Sequence, residues 1–323
     1  DILVDLCLAL LDRYRCPSNE PNRQRRDLKK VTEYLEELQT SFPQVPTYSI
    51  TSQLGNAYQL LSQGEGSIPE DFDACIASYT QAIKFCEPAR RAQIYLSLGN
   101  AYHQTKLVVS TPSENALKYF RLAMEEATEE PSGIGSRYEA LKNVCAIHAG
   151  RFEDVLEECK EQLEFFSPER ASEERSDVLL RMAESIWKMS EQVSLKATHS
   201  NVDEKVKEAI SYAREALGLV SGKNGAVETR LRAQIVLAHV LASQHRDPSK
   251  KELGEAIALY EGVIAVSNGD AELFSRCAGA IGYYCERYGE DGDAGITFQS
   301  AIERYSDALA WSNEPERVGD MNK

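Results

Sequence analysis

The chain has 323 residues, with 42% hydrophobic and 27% charged side chains, which is the composition of a folded protein rather than a disordered one. Its net charge of −15 lacks the basic footprint of a general nucleic-acid binder, so we expect no nucleic-acid partner and a preference for basic peptides or proteins. No apolar run approaches the roughly 20 residues of a membrane span, and no basic segment of a secretory signal precedes the first apolar residues.

The eight cysteines do not have the spacing of a disulfide framework or a zinc site, because no CxxC pair occurs. Cys75 and Cys159 instead occupy positions that we predict to be helical core. Reduced cysteines of this kind indicate a reducing compartment, so we expect a cytoplasmic protein, with the nucleus as the alternative.

The first 48 residues predict a helix over about 2–14, a polar linker over 16–24 and a second helix over about 26–41. Val31, Leu35 and Leu38 place three apolar residues on one face of that second helix. We interpret residues 1–48 as a degenerate helical pair that caps the rest of the chain, against the alternative of an unrelated pair. Because the chain begins at Asp1 rather than Met, we expect a fragment of something longer.

From residue 49 to residue 312, apolar or small residues recur six times at spacing i, i+4, i+7, which is the spacing of one buried helix face. The first residues of successive sets are 41, 39, 54, 47 and 38 positions apart. Recurrence at such a period predicts an array of helical hairpins, followed by a tail over 313–323. The six sets are Cys75/Tyr79/Ala82, Ala116/Phe120/Ala123, Val155/Cys159/Gln162, Ala209/Ala213/Ala216, Ala256/Tyr260/Val263 and Ala294/Phe298/Ala301.

The pentapeptide Leu-Gly-Asn-Ala-Tyr occurs twice, at 54–58 and at 98–102, in the segment before the first and the second of these sets. With its Leu-Gly and Tyr followed by Ala, an aromatic residue and Ala, the second repeat resembles the tetratricopeptide repeat (TPR) family. This chain departs from the family in its longer hairpin turns. We predict two of the insertions, 63–71 and 198–203, to be loops because they are rich in turn residues.

The resemblance implies an all-α fold, a right-handed superhelical solenoid of antiparallel helix pairs whose first helices line a concave groove. By position, the groove residues are Ser52, Asn56, Gln59, Gln93, Asn100, His103, Gln104, His239, Arg276 and Arg287. Asn56 and Asn100 could clamp the backbone of an extended peptide, or could simply be part of the repeat consensus. The lysine that the chaperone-tail-binding members use is replaced by Ser52 and Leu96, so we expect no binding of that acidic motif.

No catalytic or metal-binding pattern stands out from the sequence. The segment 289–295 resembles a calcium loop only briefly, because Gly295 and Ile302 occupy ligand positions. We therefore expect no cofactor and no enzyme, but a scaffold that binds a peptide or a partner helix. One alternative is the regulatory or targeting arm of a larger enzyme whose catalytic domain lies outside this fragment, and another is self-association through the end helices.

Overall fold

The computed structural model describes residues 21–41, 47–64, 66–105, 112–193, 200–223, 226–242, 250–266 and 271–288. Within these ranges the chain forms twelve α-helices and no strand, which confirms the all-α prediction. The chain divides into two compact units, residues 1–149 (unit 1) and residues 150–323 (unit 2). The boundary falls in the turn of the third predicted hairpin, where Gly150 has a φ of 84° that favours glycine.

Unit 1 contains six described helices, and consecutive helices pack in pairs. The most extensive pairs are α2 with α3 and α4 with α5, while α1 packs on α2 and α4 also contacts α6. The helix bounds are α1 Pro21–Ser41, α2 Thr47–Gln63, α3 Pro69–Phe85, α4 Pro88–Gln104, α5 Pro112–Glu125 and α6 Pro131–Ile147.

Unit 2 repeats this arrangement with six more described helices. Here α8 pairs with α9 and α10 with α11, while α7 packs on α8 and α8 also contacts α10. The helix bounds are α7 Phe152–Leu163, α8 Ser172–Val193, α9 Ser200–Val220, α10 Val227–Ala242, α11 Lys250–Val266 and α12 Ala271–Tyr288.

The predicted apolar sets form the cores of these pairs. Every described member is buried except Gln162, which is half-buried on α7. Cys75 and Cys159 are buried and unoxidised, as predicted. The set Ala294/Phe298/Ala301 lies outside the described residues.

The cores of the first two hairpins require a glycine on the first helix. A Cβ on Gly55 would lie 2.5 Å from the Tyr79 ring, and a Cβ on Gly99 would lie 2.5 Å from the Phe120 ring. Both distances are shorter than a non-bonded contact between carbon atoms. The Leu-Gly pairs in the sequence therefore mark the places where an aromatic ring of the second helix lies against the backbone of the first.

At the N-terminus, the buried residues Val31, Leu35 and Leu38 of α1 pack against the apolar face of α2, in a cluster that includes Leu54. This packing fits a capping pair. The helix predicted over 2–14 lies outside the described residues, so the capping pair over residues 1–48 stays a prediction.

Three segments that the sequence predicted to be loops or linkers were partly wrong, because the last residues of each form the start of a helix. Residues 21–24, 69–71 and 200–203 are helical. Pro21 and Pro69 are the first residues of α1 and α3, where the ring of proline already has helical φ and no amide is needed. Ser200 begins α9, and serine, asparagine and aspartate are as common at helix starts as in loops.

Among the described helices, none is both long enough and apolar enough to cross a bilayer.

Candidate functional site

In unit 1 the first helices of neighbouring hairpins are joined by uncharged polar side chains. Gln63 of α2 bonds to Gln104 of α4 at 2.9 Å. Between α4 and α6, the hydroxyl of Ser136 donates to Gln93 at 3.0 Å, and the amide of Asn143 donates to Asn100 at 3.1 Å. We call these six residues the amide ladder: Gln63, Gln93, Asn100, Gln104, Ser136 and Asn143.

Two further predicted groove residues, Asn56 and Gln59, are tied to the core. The hydroxyl of the buried Tyr79 lies 2.8 Å from the side-chain oxygen of Asn56 and 2.8 Å from that of Gln59. A hydroxyl has one proton to donate, so one of the two amides must present its NH₂ group to it. The Asn56 amide also donates to Gln53 at 3.0 Å, which leaves this residue fully engaged.

The remaining predicted residues of unit 1 lie on the same helices but differ in their contacts. The Ser52 hydroxyl donates to the backbone carbonyl of Ser49 one turn earlier, at 3.0 Å. The exposed ring of His103 lies edge-on to Phe120, with 6.4 Å between the ring centroids. Neither contact gives these two residues a chemical function of their own.

Most carboxamides of the amide ladder keep one polar end open. Within the described chain, Gln93, Asn100 and Gln104 each use one end of the amide and make no hydrogen bond with the other. Gln93 and Gln104 are exposed, and Asn100 is half-buried. Helix α2 carries no charged side chain at all. The side chains of the ladder therefore offer donors and acceptors that carry no charge.

Unit 2 joins its first helices with charges instead. Asp177 of α8 is only 6% exposed and accepts from Arg181 of the same helix at 2.6 Å. Arg232 of α10 contacts Asp177 with one guanidinium nitrogen and donates to Glu184 with the other at 3.1 Å. This ionic link occupies the place that amides occupy in unit 1.

His239 of α10 is held by three contacts. Its Nδ1 lies 2.9 Å from the Ile235 carbonyl, and its ring lies 5.1 Å from the Trp187 ring and 5.5 Å from the Tyr260 ring. Burial lowers the pKa of His239, and the nearby cations Arg276 and Lys188 lower it further. The imidazole is therefore favoured in its neutral form.

The other predicted residues of unit 2 lie on α12. Arg276 is exposed, and its charge contributes to the lowered pKa of His239. The side chain of Arg287 lies outside the described residues.

Sequence reasoning missed Asn143, Asp177, Trp187 and Lys188 on these surfaces. The sequence of the third hairpin predicts a degenerate first helix, because Lys142 and Asn143 stand where the family has Leu-Gly. One signal was present: Asn143 follows Asn100 by 43 residues, which is one repeat.

In the part of the chain that the structure describes, no group of histidine, cysteine, aspartate and glutamate side chains could hold a metal ion.

A comparison with solved structures supports the fold. The C-terminal part of a TPR repeat-containing protein from Cytophaga hutchinsonii superposes with a TM-score of 0.56, at 12% identity, over 98% of each chain. No protein-family model matches this chain, and no curated protein matches it in sequence. The likeness concerns the fold alone, and it agrees with the pairing of consecutive helices in both units. The chain has a TPR-like fold.

Two other structural matches are too distant to carry an argument. A circular tandem repeat protein with a novel repeat topology has a TM-score of 0.36 at 14% identity, over 99% of this chain and 86% of that one. The human IFIT1 dimer with m7Gppp-AAAA has a TM-score of 0.32 at 14% identity, over 97% of this chain and 72% of that one.

Proposed function

We propose that this protein is a non-catalytic scaffold that binds an extended peptide, or a partner helix, along the first helices of unit 1. The observation that carries the proposal is the amide ladder with its open polar ends. An extended peptide has unpaired N–H and C=O groups along its backbone, and a surface that offers both donors and acceptors can pair with them whatever the peptide sequence.

The uncharged character of the ladder matters in a chain of net charge −15. A peptide lying on α2 and α4 meets the neutral amides of the ladder, while the charge of the rest of the protein attracts basic partners from a distance. We therefore propose basic peptides as the preferred partners. Their association rate should fall as salt rises, while the backbone contacts hold them once bound.

The best residues for a test are Asn100 and Gln104, since each makes one bond in the ladder and keeps one end open. Asn56 is a poor choice, because replacing it would also disturb the hydroxyl of the buried Tyr79. We would select binders from a display library of random 12-residue peptides and measure their affinity by fluorescence anisotropy. The Asn100→Ala/Gln104→Ala variant should bind about tenfold more weakly, at roughly 0.5–1.5 kcal/mol for each lost hydrogen bond.

Gln81→Ala is the matched control, since Gln81 is an exposed glutamine on the second helix α3. It should bind the same peptides as well as the wild type does. Thermal unfolding of the control should match that of the wild type, and the double variant should lose little stability, because the two hydrogen bonds it gives up lie at half-buried or exposed side chains. If both variants bind the selected peptides with wild-type affinity, the first-helix surface of unit 1 is not the binding site.

A further inference from the structure

A cavity of about 520 Å³ lies where α2 begins, α3 ends and α4 begins, and we call it the aromatic cavity. Its size is ordinary for a ligand pocket, since these measure about 300–1,000 Å³. We propose that it binds a neutral aromatic side chain of a peptide. The peptide rests on the function proposed for unit 1, while the cavity stands on its own lining. The described lining residues are Thr47, Tyr48, Ser49, Phe85, Glu87 and Arg90.

Phe85 gives the cavity its apolar wall. It is the last residue of α3, and its 57% exposure is the largest among the large apolar side chains that the structure describes. Phenylalanine is usually buried, because removing apolar surface from water is favourable. An apolar group that enters the cavity covers the Phe85 ring and gains this free energy.

Tyr48 and Arg90 form a second wall that is already ordered. The Tyr48 ring packs against the buried cluster that contains Tyr79. The Arg90 guanidinium carbon lies 5.2 Å from the centroid of the Tyr48 ring, and Nη1 of Arg90 donates to the Tyr48 hydroxyl at 3.2 Å. Because these contacts hold both side chains before anything binds, little ordering is left to the binding step.

Arg90 favours an aromatic occupant over an aliphatic one. A guanidinium is a planar, weakly hydrated cation that stacks on aromatic rings. Arg90 is exposed, and within the described chain its guanidinium makes a single hydrogen bond, the one to Tyr48. An aromatic side chain in the cavity can therefore pack on Phe85 and stack on Arg90, whereas a leucine gains only the contact with Phe85.

The charges of the lining favour a neutral occupant. Arg90 and Glu87 are the charged members of the described lining, and they stand one helical turn apart at the start of α4. Glu87 is exposed and makes no hydrogen bond or ion pair within the described chain. A cationic side chain is repelled by Arg90 and an anionic one by Glu87, so each loses most of what the other charge offers. A neutral ring meets neither repulsion.

The aromatic cavity also lies within reach of the amide ladder. Arg90 precedes Gln93 by three residues, which places the two on one side of α4. From Arg90 to Gln104 the helix rises by about 21 Å. An extended 12-residue peptide spans up to about 40 Å, so a single peptide can occupy the cavity and lie on the ladder.

The cavity is tested first without a peptide, on the whole 323-residue chain. The methyl signal of Thr47, assigned by comparison with Thr47→Ser, is followed by NMR during titration with the N-acetyl amides of phenylalanine, leucine, lysine and glutamate. The phenylalanine amide should bind about threefold more tightly than the leucine amide, and the two charged amides should bind more weakly still. Equal affinity for phenylalanine and leucine, or tighter binding of a charged amide, would overturn the choice of occupant.

Phe85→Ala and Tyr34→Ala form a matched pair. Tyr34 is an aromatic residue of α1 that is 47% exposed and lies outside the described lining. Phe85→Ala should bind the phenylalanine amide about fivefold more weakly, because the apolar wall is lost, while Tyr34→Ala should bind it as the wild type does. Circular dichroism checks that both variants fold. Equal affinity of the two variants would show that Phe85 is not part of a site.

Arg90→Gln and Glu87→Gln test the charges with opposite expected results. Arg90→Gln should lower the preference for phenylalanine over leucine and improve binding of the lysine amide. Glu87→Gln should improve binding of the glutamate amide instead. If both variants keep the wild-type order of the four amides, the charges do not select the occupant and the proposal is wrong.

The peptide part is tested with the tightest 12-residue peptide selected from the display library. Phe85→Ala should weaken its binding about fivefold, and replacing one aromatic residue of the peptide by alanine should cost the same on the wild type but little more on Phe85→Ala. Unchanged affinity of Phe85→Ala for the peptide would leave peptide binding by unit 1 in place and overturn the cavity as its anchor. Binding of the phenylalanine amide without binding of any peptide would overturn the peptide partner. A dimer that sedimentation detects in the wild type but not in Phe85→Ala would make a second copy of the chain the occupant and overturn the proposal.

Discussion

The two units solve the same packing problem with opposite chemistry. In unit 1, neighbouring first helices are joined by neutral side chains such as Gln93 and Ser136. In unit 2, the corresponding join is the Asp177–Arg232 ion pair. The fold therefore needs a polar contact between first helices but not a particular one. The kind of contact decides what each surface offers to a partner. Unit 1 offers hydrogen bonds to any peptide backbone, and unit 2 offers charged side chains.

The core of one helix pair in unit 2 differs from the cores of the first two hairpins of unit 1. In unit 1, Gly55 and Gly99 admit the rings of Tyr79 and Phe120 against the helix backbone. In the α8–α9 pair of unit 2, Ala183 takes the place of the glycine, and Ala213 stands on α9 where α3 has Tyr79. In this pair the methyl group on the first helix accompanies the loss of the ring on the second. The two substitutions are complementary, and together they keep the helices packed.

The largest expected effect comes from exchanging the two kinds of link. Asp177→Asn puts an amide into the ionic link and removes the carboxylate that Arg181 and Arg232, both half-buried, share, although Arg232 keeps Glu184. We expect a loss of about 2–3 kcal/mol in the free energy of unfolding, somewhat below the range for a fully buried pair because the arginines keep some solvent contact. Because a long repeat chain need not unfold in two states, hydrogen exchange of the α8 and α10 amides is the measurement.

The reciprocal change, Asn143→Asp, is the control for this exchange. Asn143 donates to the oxygen of Asn100, so a carboxylate at that place accepts a hydrogen bond only after the Asn100 amide turns its NH₂ group toward it, and the pair is half-exposed to water. The loss should stay under about 1 kcal/mol. Equal losses from the two exchanges would show that charge is not what distinguishes the links.

An intermediate effect is expected from the glycines. Gly99→Ala places a methyl group 2.5 Å from the Phe120 ring, so the ring or the helix must shift. Overpacking of this kind costs about 1–3 kcal/mol, which exceeds the gain of up to about 1 kcal/mol that alanine brings to a helix. Urea unfolding followed by circular dichroism should show the loss.

Gly218→Ala on α9 serves as the comparison, since a Cβ there would have no neighbour within 4 Å. It should stabilise the protein slightly. Replacing Phe120 by Leu in the Gly99→Ala variant should recover part of the lost stability. A Gly99→Ala variant as stable as Gly218→Ala would contradict the close ring contact.

The sequence predicted what depends on local spacing. Apolar residues at i, i+4 and i+7 located the second helices, because that spacing is a property of one helix. The links between first helices depend on partners far along the chain, such as Arg232 with Asp177, 55 residues apart. Nothing near Arg232 distinguishes it from a solvated arginine. The hydrogen bond between Asn56 and Tyr79 could not be predicted from local spacing either, since Tyr79 lies on another helix.

The smallest expected effect is a pH dependence of stability that comes from His239 in unit 2. The pKa of His239 is lowered in the folded protein by burial and then by the nearby cations, so the unfolded chain binds a proton more readily. Stability from this residue is therefore complete above about pH 6.5 and is lost as the pH falls through the window below it. Urea unfolding at a series of pH values should show this slope.

His239→Gln should remove that part of the slope, because the replacement carries no proton in this range. Arg276→Gln should reduce it, because one of the cations that lower the pKa is gone and the folded value moves toward that of the unfolded chain. Arg230→Gln, on the opposite side of α10, should leave it unchanged. A slope that persists in His239→Gln would mean that another group of the chain causes the acid sensitivity.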